Sequence, residues 1–282
     1  VGYQALNAST TATGNTALGH NSLSANTTGY GNTAVGSLSG DAITTGLNNT
    51  TVGRASLTAC TTGGSNVAVG VSALEAVTTG SNNVAIGPNT GVAITTGSSN
   101  TAVGLNALKA VTTGIQNIGI GDGAGYYTTG SGNITIGARN NGGSFLPAAN
   151  ITSQNNYLSM GHTSITNAFV KVAWTVTSDA RDKSNFAEVP HGLSFVNQLA
   201  PYSYEFKLDR EEAETDGIVR YGFKAQDILA LEGSNPVIID NEDPDSLRYR
   251  ETALIPVLVK AMQEQTAVIA ALTARIETLE GE

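Results

Sequence analysis

Residues 78–94 read TTGSNNVAIGPNTGVAI, and this unit of 17 residues decides the fold of the N-terminal half. Its central pattern, Asn-x-x-Val/Ile/Leu-Gly, recurs with a spacing of 17 residues six times and of 16 residues once. A fixed short period of this kind is typical of solenoid proteins, in which each repeat forms one structural unit. The pattern begins at Asn15, Asn32, Asn49, Asn66, Asn83, Asn100, Asn117 and Asn133.

Each repeat suits one coil of a β-solenoid. Apolar residues alternate in the segment 83–87, which predicts a short strand, and Gly and Asn supply the corners. We predict two strands and two turns per coil, inward residues that are mostly Ala, Val and Ile, and ladders of Asn and Thr side chains between coils. Because one such coil buries little apolar surface, we expect three chains to pack along a common axis.

Charge divides the chain into two parts. Residues 1–140 contain three acidic and three basic residues, whereas residues 141–282 contain 20 acidic and 11 basic residues and carry the net charge of -9. This shift predicts a domain boundary. The acidic balance argues against a nucleic acid partner. No uninterrupted run of about 20 apolar residues is present, so we expect no membrane partner. Since Val1 is not an initiator, we expect residues upstream of it.

Few residues could support a metal site or an enzyme within the repeat. Cys60 stands alone, which excludes an intrachain disulfide, and the three histidines are too scattered to predict a metal site or any cofactor. A glycosidase needs two neighbouring carboxylates, and residues 1–140 hold only three acids. We therefore interpret the repeat as a shaft or a binding surface. The histidines are His20, His162 and His191.

A second signal lies at residues 178–186, which read SDARDKSNF. Alone, this string predicts only a polar turn. It resembles the signature that opens the intramolecular chaperone auto-processing domain of phage tailspikes and tail fibres. The segments 199–206 (LAPYSYEF), 221–227 (YGFKAQD) and 254–261 (LIPVLVKA) are similar to later motifs of that family and occur in the same order. The resemblance extends from residue 178 to the C-terminus.

That resemblance implies a self-cleaving dyad. Ser178 would be the nucleophile, Lys183 its general base, and the scissile bond would join Thr177 to Ser178. A Ser hydroxyl needs a neighbouring base, and a Lys serves as one only when desolvation or a nearby cation favours its neutral form. Asp179, Arg181 and Asn185 complete the motif. We expect a salt bridge between Asp179 and Arg181 to fix the turn rather than a direct chemical role for either residue.

The end of the chain has a heptad pattern. Seven residues recur with alternating spacings of four and three, which predicts a coiled coil, although packing inside one globular domain would produce a similar pattern. Pro256 is expected in the first turn of this helix. The heptad positions are Leu258, Met262, Gln265, Ile269, Leu272, Ile276 and Leu279.

The N-terminal repeat resembles the β-roll heads of trimeric autotransporter adhesins and the repeat shafts of phage fibres. We therefore predict a mainly β, trimeric β-solenoid at 1–140, a β connector at 141–177 and a small α+β chaperone domain ending in a long coiled-coil helix at 178–282. The connector should include a strand at 168–176.

The resulting hypothesis is a homotrimeric phage tail fibre or tailspike tip for attachment to a host glycan or protein. Its C-terminal domain would direct folding and then act as a single-turnover serine endopeptidase without external substrates. We expect it in the virion after assembly in the host cytoplasm. The alternatives are a trimeric bacterial adhesin head and the end of a polysaccharide-degrading tailspike whose catalytic domain lies upstream.

Overall fold

The computed structural model describes residues 1–139, 151–162, 165, 171, 176, 178–207 and 213–281. The chain divides into two compact units, residues 1–168 and residues 169–282. Each unit has its own hydrophobic core. The two are described separately below.

The first unit is a parallel β-solenoid, as predicted. Within the described residues its nine strands form one sheet in chain order, and every neighbouring pair is parallel. Each strand has three residues and lies one coil away from the next. The strands are β1 (Thr16–Leu18), β2 (Thr33–Val35), β3 (Thr50–Val52), β4 (Val67–Val69), β5 (Val84–Ile86), β6 (Thr101–Val103), β7 (Ile118–Ile120), β8 (Ile134–Ile136) and β9 (Leu158–Met160).

Each coil contains one strand, so the prediction of two strands per coil was wrong. The opposite side of the coil contains residues in the left-handed region, such as Ser72 (φ 55°) and Leu74 (φ 51°), which an extended strand cannot accommodate. Backbone hydrogen bonds still join neighbouring coils there. The N–H of Leu57 donates to the carbonyl of Ala73 (2.9 Å), for example.

The interior contains mostly Ala, Val and Ile, as predicted, together with Leu. Only the central residue of each strand points inward, for example Ala68 or Ala85, while the flanking Val and Ile residues point outward. Much of the large apolar volume comes from the turn side, where residues such as Leu74 and Ile94 are fully buried. Gly91 lies over Leu74, and a Cβ at Gly91 would collide with that side chain. Large and small residues thus fill the core together.

The predicted side-chain ladders are present. The Asn66 amide nitrogen Nδ2 donates to Oδ1 of Asn49 (3.1 Å) and to the carbonyl of Gly80 (2.9 Å), and the Asn66 N–H donates to the same Oδ1 (3.0 Å). Asn83 repeats these contacts one coil later. A Thr ladder runs beside it, in which each hydroxyl donates to the carbonyl of the corresponding Thr in the next coil. The Asn ladder satisfies buried polar groups that the narrow core could not otherwise accommodate, whereas the Thr ladder lies at the surface.

The solenoid sheet extends beyond residue 140, because β9 pairs with β8 in the same sheet. The spacing between their paired residues is 24, as in Ile134 and Leu158, so this coil contains an insertion relative to the 17-residue period. Most of the strand predicted at 168–176 lies outside the described residues.

The second unit combines short helices and strands around a small core. Its core contains Phe195, Ile228, Ile238, Ile239, Leu254 and Val257. Strands β10 and β11 pair antiparallel, and so do β12 and β13. The elements after the first turn are α1 (Leu193–Val196), β10 (Tyr202–Tyr204), β11 (Arg220–Gly222), α2 (Ala225–Glu232), β12 (Ile239–Asp240), β13 (Arg248–Tyr249) and α3 (Glu251–Glu280).

Helix α3 begins earlier than the sequence predicted. It starts at Glu251, so Pro256 lies inside the helix rather than in its first turn. Leu254, Val257 and Ala261 are its buried residues, and they anchor the first turns against the core. By length and composition alone α3 could cross a membrane, with a mean hydropathy of 1.2 over its most apolar 18 residues. The same apolar content follows from its heptad pattern.

Candidate functional site

The motif at 178–186 folds into a tight turn. A short 3-10 helix spans Ala180–Asp182, and Asp179 caps it by accepting a hydrogen bond from the N–H of Arg181 (2.9 Å). Lys183 follows in an extended conformation, with its N–H donating to the carbonyl of Ala180 (3.2 Å). This turn reverses the chain, so the side chain at position 183 can reach back to position 178.

The turn brings Ser178 and Lys183 together. Nζ of Lys183 donates to Oγ of Ser178 at 2.6 Å, and it lies 3.4 Å from the carbonyl oxygen of the same residue. A base within hydrogen-bonding distance of a hydroxyl is the geometry that proton removal from a Ser nucleophile requires. Both side chains are exposed, so the site is open to solvent in the single chain.

The expected salt bridge between Asp179 and Arg181 is present. Nη2 of Arg181 lies 2.6 Å from Oδ2 of Asp179, and Nε lies 3.1 Å from Oδ1. These guanidinium hydrogen bonds, followed by the one from the Arg181 N–H, hold the pKa of the Asp179 carboxyl below its ordinary value. Asp179 in return raises the pKa of Arg181. The charge of Arg181 is therefore matched by Asp179, which suits a structural role in the turn.

Two further predicted positions are Asn185 and Thr177. Asn185 has a left-handed backbone (φ 56°) and redirects the chain after the turn, and its side chain is exposed. Thr177, on the other side of the predicted scissile bond, lies outside the described residues. The structure thus describes Ser178, Lys183 and the turn that joins them.

The later motifs form the elements that support this unit. The segment 199–206 contains β10, and 221–227 runs from β11 into α2. Gly222 faces Tyr204, whose ring leaves little room for a Cβ, and the ring of Phe223 meets that of Tyr249 edge to face (centroids 6.1 Å apart). Gln226 of the same motif is exposed on α2.

Helix α3 makes hydrogen bonds to residues 189–193, which follow the motif. The sequence did not predict these contacts. Nζ of Lys260 donates to the carbonyl of Val189 (2.6 Å), and Oε2 of Glu264 accepts from the N–H of Leu193 (2.7 Å). Lys260 and Glu264 are four residues apart and therefore lie on one face of the helix. This spacing was visible in the sequence, but its partners are 71 residues away.

A family model matches this region. The family is described as the chaperone of endosialidase, and the match covers residues 178–233. It begins at Ser178 and includes the 3-10 turn, β10, β11 and α2. No curated protein and no solved structure matches the chain. The match and the parallel β-solenoid together fit a phage tail fibre or tailspike protein with a C-terminal chaperone domain.

Proposed function

We propose that this chain is the end of a homotrimeric phage fibre whose C-terminal unit aligns three solenoids and then cleaves itself off before Ser178. The observation that carries the proposal is the 2.6 Å hydrogen bond between Lys183 and Ser178 at the first residue of the family match. The solenoid would face the host surface, where it binds a receptor or spaces a receptor-binding element.

The cleavage chemistry follows from this geometry. Neutral Lys183 accepts the Oγ proton while Oγ attacks the carbonyl carbon of Thr177. The peptide bond then breaks, and the nitrogen of Ser178 takes up a proton. The ester formed between Thr177 and Oγ is hydrolysed by water, which releases a carboxylate on Thr177 and restores the hydroxyl of Ser178. Each chain reacts once, so no external substrate is required.

Assembly into a trimer is supported by α3. Its heptad side chains from Met262 to Leu279 are exposed in the single chain, so they are not part of the globular core. A helix with an exposed apolar stripe of this spacing is stabilised when it packs against other copies of itself. We infer that α3 forms a three-stranded coiled coil.

The repeat explains why a temporary chaperone is useful. A chain shifted by one coil keeps nearly equivalent contacts, so misaligned solenoids compete with the correct assembly. A trimeric unit with a unique interface at one end sets the register, and the coils then stack from that end. Cleavage afterwards removes this folding nucleus and stabilises the product kinetically.

The test compares two Ser variants in the same exposed segment. Ser178→Ala removes the nucleophile and should yield only the intact chain of 282 residues, whereas Ser184→Ala should be processed like the unmodified protein. Denaturing gels and intact mass measure both outcomes. Equal processing of Ser178→Ala and Ser184→Ala would show that another protease makes the cut and would refute the catalytic assignment.

A further inference from the structure

The outer face of the solenoid sheet carries two continuous columns of uncharged side chains. In every strand the first and third residues point away from the core, and they stack in register along the sheet. All members are Thr or aliphatic. The first column contains Thr16, Thr33, Thr50, Val67, Val84, Thr101, Ile118, Ile134 and Leu158, and the second contains Leu18, Val35, Val52, Val69, Ile86, Val103, Ile120, Ile136 and Met160.

This face, the seam, contains no charged residue. None of the residues in β1–β9, all of which the structure describes, is acidic or basic. The charged residues of the segment 1–138 lie on the turns instead, for example Arg54, Glu75 and Lys109. A long uncharged strip beside charged corners is typical of a surface that another protein covers.

The seam also changes along its length. The three N-terminal rows contain three Thr, two Val and one Leu, whereas the three C-terminal rows contain four Ile, one Leu and one Met. The apolar surface available for association therefore increases toward the C-terminal end of the solenoid. Self-association along an axis would set each row against the same row of another copy, so the large aliphatic rows would meet each other at the C-terminal end.

We infer that the seam is where copies of this chain meet, and that it closes from its Ile-rich C-terminal rows toward its Thr-rich N-terminal rows. This inference rests on the proposed homotrimer. Rows of unequal size penalise a shift of one coil, since Ile would then face Thr near the C-terminal end. The seam thereby adds its own check on register to the one set by the chaperone unit.

The small area of the seam implies that it closes only after the chaperone unit has brought the chains together. Nine rows about 4.8 Å apart make a strip roughly 40 Å long, and two columns with their side chains cover on the order of 500 Å². Stable association usually buries about 800 Å² per partner. The seam is therefore too small to bring chains together by itself at low concentration, but it can close once the chains are held side by side.

Cysteine cross-linking tests whether the seam lies between copies of the chain. In the intact Ser178→Ala protein, Val35→Cys and Ile136→Cys on the seam should each give interchain disulfides on oxidation. Val71→Cys, on a turn, should give none although Val71 is as exposed (41%) as Ile136 (40%). Cys60 does not interfere, because burial raises the pKa of its thiol to about 11.

Lysine substitutions test the direction of closure. Ile120→Lys should lower both cross-links about tenfold, because an ammonium buried near the C-terminal end blocks closure at its start. Val52→Lys should lower the Val35→Cys cross-link alone and leave the Ile136→Cys cross-link intact. Val71→Lys is the control and should change neither. Circular dichroism checks that each variant retains the solenoid.

The outcomes separate the two proposals. A monomer by light scattering would overturn the homotrimer itself. A trimer in which Val71→Cys cross-links as well as Val35→Cys would overturn the seam alone. If Val52→Lys weakened the Ile136→Cys cross-link as strongly as Ile120→Lys weakens the Val35→Cys cross-link, closure would have no direction and that part of the inference would fail.

Discussion

The turn around Ser178 shows how six consecutive residues can assemble a reactive pair. Asp179 caps the 3-10 helix and pairs with Arg181, and this places Lys183 against the Ser178 hydroxyl. An amine accepts a proton only in its neutral form, which desolvation or a nearby cation favours. The exposed site of the single chain supplies no desolvation, so we expect assembly to complete it.

Replacing Lys183 tests its role as base. Lys183→Ala and Lys183→Arg should both abolish cleavage, because a guanidinium stays protonated at any working pH. In the unmodified protein the cleavage rate should rise with pH, since only the neutral amine removes the Ser proton. A time course on gels between neutral and alkaline pH measures this. Cleavage by Lys183→Arg at the normal rate would contradict a base at this position.

Two Asn residues of the solenoid should respond oppositely to the same change. Neither polar atom of the Asn26 carboxamide finds a hydrogen-bond partner among the described residues, and the next coils place Ile43 and Cys60 at its position. Asn26→Val should therefore stabilise the protein by about 1–2 kcal/mol. Asn66→Val breaks the ladder and should destabilise it by about 3 kcal/mol. Unfolding of both variants in urea measures the difference; destabilisation by Asn26→Val would refute this account.

At the residue level the sequence predicted contacts that repeat and missed contacts that do not. The ladder through Asn49 and Asn66 follows from the period, because equivalent residues of stacked coils must be neighbours. The bonds from Lys260 and Glu264 to residues 71 positions earlier depend on tertiary packing, for which no period exists. The Ser178 and Lys183 pair came from the resemblance of a whole motif to a family, since its spacing alone is common.

Among the elements, α3 offers the clearest test of assembly. Ile269 is a heptad position and is 57% exposed. Its neighbour Val268 is not a heptad position and is 50% exposed. Ile269→Glu should dissociate the trimer, because a carboxylate cannot be buried unpaired in a coiled-coil core, whereas Val268→Glu should leave it intact. Light scattering distinguishes these results. Dissociation by Val268→Glu alone would place the interface on another face of the helix.

Strand and helix boundaries were predicted less well than element types. Alternation in the segment 83–87 predicted the strand, which has only three residues and buries only its central one. The second strand of each coil failed because left-handed residues such as Leu74 are held by core packing, which propensity does not report. Pro256 predicts a helix whose first turn contains it, but α3 begins five residues earlier, at Glu251.

At the scale of the whole molecule, the chaperone hypothesis predicts the effect of deleting residues 178–282. The solenoid expressed alone should be insoluble or misregistered, since the unit that brings the three chains together and aligns them is missing. Adding the deleted segment as a separate chain should rescue it poorly, because covalent attachment sets the local concentration. Solubility and light scattering of residues 1–177 measure this. A soluble trimer of that fragment would refute the chaperone role.

The division of the chain into a repeat solenoid and a second unit could be predicted from the sequence. Both the 17-residue period and the sharp change in charge are properties of composition and spacing. The placement of the seam was not visible, because alternation alone does not show on which side of the sheet the flanking Val and Ile residues of each strand lie. Only the structure shows that they face outward. The proposed association of chains would therefore use a specific surface of the solenoid in addition to α3.

The most direct test of the account is the N-terminal sequence of the smaller product of the unmodified protein. The account predicts fragments of 177 and 105 residues, the second beginning at Ser178 with the sequence SDARD. A smaller fragment that begins at any other residue, or a fully assembled trimer that keeps the intact chain after prolonged incubation, would contradict self-release of the chaperone.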